Sequence, residues 1–436
     1  MPKFYNSPSG VRDVLPDDHD FFTFIKKVVR HRFRQSGFRR ISPALFEDRG
    51  VFERAYGENS GLLSDLYDFE DRQGRSLALR SDIITGVVRS FIQHEMDQGP
   101  LPVELYFIER CFRQQKISQR NQREFWQFGS MILGEKDPSV DAQVIYLAHR
   151  ILSDLRIREH VTLKVSTVGS AEDRKAYSDA LANFYLGKER SLSLESREKL
   201  QQKRYFDLLS PTNEDEAILL EMAPKITDFL SPESKQFFED VLMYLDTFDI
   251  EYKIDNTIPR SVDNASHTIF EFDEGASGTK LVSGSRSDEL IQKMGGGNYG
   301  SVGFAAGVER LIAFMKKNDL DVPHKDELQI FVAATGPKAK KYALPILVDL
   351  REHGFHAVGV LGKTSMNEQL KRAERFNVPY AVIMGDIEVK KDMVLVRDMK
   401  SGTSKPMKID KLIPYLDAQL GAPAVLDTTK DFLGHN

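Results

Sequence analysis

Apolar and polar residues follow two different rhythms along the chain. Residues 19–35, HDFFTFIKKVVRHRFRQ, put Phe21, Ile25, Val28 and Val29 on one face at helical spacing, with bases opposite. That spacing predicts an amphipathic helix, and Gly37 is placed to end it. Strand-like pieces follow: RRISPALF, DLYDFED, SLALRSD, ELYFIERCFR and EFWQFGSMILG, most of them separated by polar turns or helical stretches. Consecutive β-rich pieces with short links predict antiparallel pairing, because parallel strands need long crossovers. DPSVDAQVIYLAHRILSDL then reads as another amphipathic helix.

From about residue 170 to 247 the chain is highly charged and helix-favouring, which predicts an inserted helical subdomain. Strand-like material returns in YKIDNTIPR, HTIFEFDE and TKLVSGS, and GGGNYGSVGFAAGVERLIAFMKK reads as a glycine-rich lead into a helix. After the linker NDLDVPHKDE, the short apolar strands LQIFVAA, HAVGVL, PYAVIMG and MVLVRDM alternate with the helical stretches KKYALPILVDLREHG and EQLKRAERFN. This alternation predicts a compact α/β domain with strands parallel at least in part. The expected organisation is an α+β domain at 1–325, carrying the helical insertion, an α/β domain at 326–420 and a loosely held tail at 421–436. No internal repeat is evident.

Composition narrows the class. At 436 residues, two or more domains are expected. With 41% hydrophobic and 29% charged residues the chain is globular in character. No apolar run approaches the ~20 residues of a membrane helix, and MPKFYNSPSGVRDVLPDD lacks the apolar centre of a secretory signal, so a soluble cytoplasmic protein is expected. Cys111 is the one cysteine, and the ten histidines show no HExxH spacing, which excludes a disulfide framework and points to no metal held by protein side chains. The net charge is −5, yet from Asp326 onward basic residues slightly outnumber acidic ones. Such a distribution permits a polyanionic partner without requiring one.

Four arginines carry the candidate chemistry. The stretch FRQQKISQRNQREFWQFG (112–129) sets Arg113 and Arg123 on a strand–loop–strand, with Phe125 and Gln127 close behind. Arg260 opens RSVDNASHTIFEF, and Arg310 stands in GVERL near the start of a helix. Guanidinium forks suit carboxylates and phosphates, whose charge grows or moves in phosphoryl or adenylyl transfer. For any one of them alone, a surface ion pair is the simpler account; Arg310 after Glu309 would serve as a plain helix-surface pair.

Taken together, these pieces resemble a family. SPSGVRDVLPDD is similar to the N-terminal segment of histidyl-tRNA synthetases. GFRRISPALFE, LYFIERCFRQQ…NQREFWQFG and GFAAGVERL resemble motifs 1, 2 and 3 of class II synthetases, in order. MGDIEVKKDMVLVRDMKSGTSKPM resembles that family's anticodon-binding domain, so the likeness runs from about residue 8 to about 420. It implies a six-stranded antiparallel catalytic sheet and a homodimer through motif 1, with Pro43 at the motif's proline. It further implies ATP with Mg2+, an amino acid and tRNA as the reacting partners, joined through an aminoacyl-adenylate.

The resemblance also implies roles. Arg113 would touch the α-phosphate and the amino-acid carboxylate, Arg310 the far phosphates, and Arg123 a second phosphate position. Phe125 would lie under adenine, with sheet core as an equal alternative; Gln115 stands near adenine in place of the motif 2 glutamate. Arg260 matches the family's extra catalytic arginine. Asp82, where glutamate is usual, and Gln127 fall where the ammonium group is recognised.

Positions serving the imidazole are altered. Asn264 and Ala265 replace a tyrosine pair, and Met131 replaces the carboxylate that holds the ring. SGSRSDEL stands for AGGRYDGL, leaving Ser285 and Ser287 at changed places, and ISQRN replaces PQxGR in the loop that meets the tRNA acceptor end. A buried imidazole N–H without a partner costs about 1–3 kcal/mol, or roughly tenfold or more in discrimination per lost contact. Three readings stay open: a ligase that recognises histidine through other groups such as Asn264, Ser285 or Ser287; a paralogue that activates another amino acid; and a non-catalytic tRNA- or nucleotide-binding or regulatory protein. Trp126, beside Gln127, reads as core packing.

Overall fold

The computed structural model describes residues 5–57, 60–115, 122–258, 264–275, 278–323, 328–359, 362 and 365–422. Its contacts divide into two units, Met1–Val322 and Pro323–Asn436.

The first unit is built on the long apolar strands Val103–Phe112 and Glu124–Leu133, which pair antiparallel from Val103↔Leu133 to Phe112↔Glu124. Ser301–Gly307, Thr279–Arg286, Ser266–Glu274 and Thr162–Thr167 extend that pair, each antiparallel to its neighbour, into a six-stranded sheet. Arg39–Arg40 and Lys253–Ile254 add two-residue parallel edges. The predicted strands in RRISPALF and YKIDNTIPR therefore shrink to short pieces. Proline supplies no ladder donor, and at Pro43 the chain leaves the main sheet. Phe46–Asp48 instead joins Ser76–Leu79 and Asp68–Glu70 in a separate three-stranded sheet. Gly86 allows Pro43 to lie close, since a Cβ there would be 2.9 Å from the proline's Cβ.

The glycine-rich lead before GVERL is a strand, Ser301–Gly307, followed by the helix Val308–Lys317. Glycine weakens strands locally, but a Cβ at Gly303 would stand 2.3 Å from the Ser130 carbonyl oxygen, so close pairing overrides propensity here.

Successive side chains in a strand point to opposite faces. The back face carries Tyr106, Ile108, Phe128, Ile132, Phe270, Phe272, Val302 and Phe304 into the main core. Four helices cover it: Pro16–Gln35, Pro138–Asp154, Pro232–Thr247 and Val308–Lys317. The first helix buries Phe22, Ile25, Val29 and Phe33. Phe21 and Val28, predicted on the core stripe, flank it half-buried, because the 3.6-residue period centres on Ile25 and Val29. Trp126 also packs on this face, with the Lys26 ammonium 3.6 Å from its ring centre.

Within the helical stretch, Tyr177, Leu181, Tyr185, Leu208, Leu219 and Ile226 form a separate small core. The helix Pro232–Thr247 does not share it; its Phe238, Val241 and Leu245 belong to the main core. The second unit has strand order Ala357–Gly359, Ile330–Ala334, Tyr380–Met384, Met393–Asp398, Ser404–Lys408. The first three run parallel and the last two antiparallel. Every residue of Ile330–Ala334 is buried, alternating between two apolar clusters. The tail from residue 423 lies outside the described residues. No described helix is long and apolar enough to cross a membrane.

One buried charge fixes the back of the sheet. Arg286 is fully buried, as is its partner Asp141 in the first turn of Pro138–Asp154, and its Nε donates to both Asp141 oxygens at 3.1 and 2.9 Å. Its Nη atoms reach Asp288 at 3.0 Å and the carbonyls of Glu135 and Asp137 at 3.0 and 3.2 Å. Removing one partner of such a pair leaves an uncompensated buried charge. Arg286→Leu is expected to lower stability by about 3–5 kcal/mol, read as a shifted urea midpoint, whereas an unchanged midpoint would show the pair to be dispensable.

Candidate active site

Front-facing side chains converge on two cavities. Phe125 and Gln127 alternate with Trp126 and Phe128, and Ser283 and Ser285 with Val282 and Arg286, so the residues that meet solvent-filled space are set by strand parity. The first cavity, about 240 Å³, is lined by Arg113, Gln115, Phe125, Gln127, Lys280 and Arg310, with Ser283 and Glu309 beside them. The second, also about 240 Å³, is lined by Tyr56, Asp82, Thr85, Asn264, Ser285 and Ser287, and again by Arg113. Arg113 is common to both.

Arg113 follows the strand Val103–Phe112 directly. Its backbone N–H donates to the Arg123 carbonyl at 2.9 Å, which continues the ladder one step past the last paired residue. Its Nε donates to the Ser81 carbonyl at 2.9 Å, and its guanidinium carbon lies 5.2 Å from the centre of the Phe125 ring. A tethered fork stacked on an aromatic face has few rotamers left, so its remaining donors are preorganised. Arg310 enters the same cavity from the first turn of Val308–Lys317, its Nη1 3.5 Å from the Lys280 carbonyl. Glu309 turns to the sheet, where both its oxygens accept the Trp126 N–H at 3.0 and 2.9 Å. Burial pushes its carboxyl up from the usual range, and that N–H opposes the shift.

Arg123 is not among the lining residues. Its backbone N–H donates to the Gly10 carbonyl at 2.8 Å, and its guanidinium reaches the carbonyls of Gln115 and Ser9 at 3.5 Å each. Gln115 donates to the Gln122 carbonyl at 3.0 Å. Gln127 accepts from the Cys111 thiol at 3.2 Å; burial pushes that thiol's pKa up and keeps it unreactive.

Asp82 anchors the second cavity. Its Oδ1 accepts the Thr85 N–H at 2.8 Å, and its Oδ2 accepts the Thr85 hydroxyl at 3.0 Å and the Tyr56 hydroxyl. Asn264 donates to the Ala55 carbonyl and accepts from Lys293 at 3.5 Å, so it bridges two segments at the cavity wall. Met131 and Ala265 line neither cavity. Met131 is 1% exposed among Leu105, Phe107, Val87, Phe91 and Leu290, and Ala265 packs with Val168, Ile258 and Ile269. Arg260 lies outside the described residues.

Tyr56, Thr85, Ser81, Ser283 and Lys280 are site residues that the motifs do not single out. A signal existed for Thr85, since Asp82-x-x-Thr85 has the spacing of a helix N-cap. Strand parity with Ser285 would have pointed to Ser283. Tyr56 and Lys280 have no such mark. Among the described residues there is no group of three or more His, Cys, Asp or Glu able to hold a metal ion. Glu309 is tied to the Trp126 N–H and Glu271 to Lys280.

An antiparallel six-stranded sheet whose front carries these arginines defines the catalytic domain of a class II aminoacyl-tRNA synthetase. The sequence model of Histidyl-tRNA synthetase matches residues 10–311, and that of Anticodon binding domain matches residues 329–419. A histidine–tRNA ligase of Bacillus velezensis is 31% identical over 420 residues, 95% of this chain and 99% of that protein. One from Acaryochloris marina is 33% identical over 404 residues, 92% of this chain and 93% of that protein. The crystal structure of the apo histidyl-tRNA synthetase of S. aureus superposes with a TM-score of 0.76 at 28% identity, covering 94% of this chain and 99% of the other. The chain belongs to the histidyl-tRNA synthetase family.

Burial raises the native pKa of Asp82, against the Thr85 hydrogen bonds and Arg113, which lower it. A carboxyl whose folded pKa lies above its unfolded value costs stability above that value, and the cost fades as pH falls through the folded pKa. Asp82→Asn is therefore expected to melt no earlier than wild type at neutral pH, with any advantage narrowing toward about pH 4. A markedly earlier melt at pH 7 would mean that the bonds from Tyr56 and Thr85 outweigh desolvation.

Proposed function

We propose that this protein is a histidine–tRNA ligase that activates its amino acid with MgATP in the first cavity and holds the amino acid in the second. The observation that carries this reading is the position of Arg113, which lines both cavities. An amino-acid carboxylate in one and an α-phosphate in the other would meet at its guanidinium. The carboxylate oxygen forms a bond to the α-phosphorus, the bond to the β-phosphate oxygen breaks, and pyrophosphate leaves with that electron pair. A tRNA 3′-terminal hydroxyl then attacks the acyl carbon, the bond from that carbon to the phosphate oxygen breaks, and AMP departs with the electron pair, its phosphate taking up the hydroxyl proton. Neither step needs strong acid–base chemistry; both need positioning and neutralised charge.

In this reading Arg113 holds the two reacting anions, Arg310 neutralises the outer phosphates, and Phe125 forms a wall for the adenine. Asp82 accepts the ammonium group, and Gln127, which lines the first cavity, is assigned to the same group by the resemblance. Gln115 stands near the adenine, and Arg123 and Arg260, from the resemblance, add charge at the phosphates. The unit from Pro323 would contact tRNA through its anticodon-binding-type sheet, and the cytoplasm would be its compartment.

A second reading, activation of a different amino acid, is favoured by the placement of Met131 and Ala265, which contribute nothing to the wall of the amino-acid cavity. ATP–pyrophosphate exchange with each amino acid separates the two. Histidine-dependent exchange is expected, with Arg113→Ala reducing it by at least about 100-fold; exchange with another amino acid alone would move the assignment to the second reading. Absence of exchange with any amino acid would reject both.

We further propose a homodimer through motif 1. Phe46 and Phe69 are 50% and 43% exposed and lie 6.1 Å apart on the small sheet, beside the exposed Leu45. A paired aromatic patch of this kind on a sheet surface suits burial against a second copy. Light scattering is expected to give a dimer mass, and Phe46→Glu to shift it toward monomer; a wild-type monomer at micromolar concentration would remove the proposal.

A further inference from the structure

Lys280 is a cation of the nucleotide cavity that belongs to none of the motifs. Two features place it there. The register between Thr279–Arg286 and Ser266–Glu274 shifts between Lys280 and Val282. This bulge re-aims the side chains at the strand's start, as bulges near binding sites commonly do, and Lys280 lines the cavity with Ser283. The second feature is Glu271, paired with Ser283 across the ladder and only 2% exposed, whose carboxylate lies 3.1 Å from the Lys280 ammonium.

A carboxylate so buried needs a nearby positive charge. Lys280 supplies it, yet the lysine side chain stays 35% exposed at the cavity. An ammonium has three donors, so one can remain on Glu271 while the others turn to a ligand. Arg310 Nη1 lies 3.5 Å from the Lys280 carbonyl, which brings the second cation to the same strand end. Glu309, the other carboxylate at this wall, is occupied by the Trp126 N–H.

We infer that Lys280 is a phosphate-binding residue of the nucleotide site, contacting the phosphate chain beyond the α-phosphate alongside Arg310, with Glu271 as its positioning residue. The inference rests on the nucleotide reading of the first cavity, not on which amino acid is activated. A polyphosphate gains from each cation fixed in advance, because no side chain must be ordered on binding.

Direct binding of ATP and of adenosine by equilibrium dialysis, without amino acid or tRNA, tests this. Lys280→Met is expected to weaken ATP by about tenfold or more while leaving adenosine within about twofold. Lys280→Arg is expected to recover most of the loss. If Glu271 acts through the lysine, Glu271→Gln weakens ATP less than Lys280→Met does, and the double variant is no weaker than Lys280→Met alone. Unchanged ATP affinity in Lys280→Met, or equal losses for ATP and adenosine, would overturn the assignment. Wild-type ATP binding with no exchange for any amino acid would defeat the ligase reading and leave the role of Lys280 standing.

Discussion

Each strand of the six-stranded sheet turns alternate side chains into a dry layer beneath four helices and toward the two cavities, and both the fold and the site depend on that alternation holding its register. A slip of one residue would bring Val282 and Gly284 to the front in place of Ser283 and Ser285. Arg286 guards against it from behind. Its guanidinium is bound to Asp141 on the covering helix, to Asp288 just past the strand, and to the turn carbonyls of Glu135 and Asp137. In this register the guanidinium reaches four partners, so a buried ion pair whose net stabilisation is modest can still select one arrangement over its neighbours. Asp288 continues the constraint forward by accepting the Ser301 N–H at 3.2 Å, which ties the neighbouring strand to the same point.

The front face pays for its function in repulsion. Arg113, Arg310 and Lys280 share one cavity, and without a ligand like charges so placed oppose folding. The protein limits the cost by pairing Lys280 with the buried Glu271, while Glu309, in the first turn of Val308–Lys317, is tied to the Trp126 N–H. Lys280 therefore meets the cavity with its countercharge buried behind it. This is an arrangement that attracts a polyanion and leaves its oxygens free to be contacted from above. Phe125 does double duty, presenting a flat wall to the cavity and an aromatic face to the Arg113 guanidinium.

Much of this was legible in the sequence. The β-rich pieces ELYFIERCFR and EFWQFGSMILG marked the strands Val103–Phe112 and Glu124–Leu133. The amphipathic pattern of DPSVDAQVIYLAHRILSDL marked the helix that follows. What escaped depended on partners far along the chain. The strand Ser301–Gly307 has the composition of a loop and forms only because Gly303 can press against the backbone of Ser130. The helix Pro232–Thr247 looks like its charged neighbours, yet Phe238, Val241 and Leu245 meet the main sheet. Lys280 carries no local mark, since its place arises from a bulge and from the burial of a glutamate on the adjacent strand. The departures at Met131 and Ala265 were visible as substitutions, but that both residues sit in apolar clusters away from the cavity wall requires the packing.

Those two positions bear on the second cavity by what they leave out of its wall. Met131 lies on the front face, two steps along the strand from Gly129, but Val87, Phe91 and Leu290 cluster over it. A carboxylate at that spot would need a charged or hydrogen-bonding partner in the same enclosure, whereas a flexible thioether fills it without one. Apart from Asp82, which the Thr85 and Tyr56 hydroxyls hold in place, Asp65, and Arg113, which this wall shares with the first cavity, the lining offers neutral groups such as the hydroxyls of Ser285 and Ser287 and the amide of Asn264. Hydroxyls donate or accept by rotation, so such a wall can match the one donor and one acceptor of a neutral imidazole without a counter-charge. Discrimination then rests on hydrogen bonds left unmade by a wrong side chain, each worth about 1–3 kcal/mol when buried. Under the proposed assignment, the second cavity meets a side chain through shape and neutral polarity, while the cations gather at the first cavity, with Arg113 shared between the two.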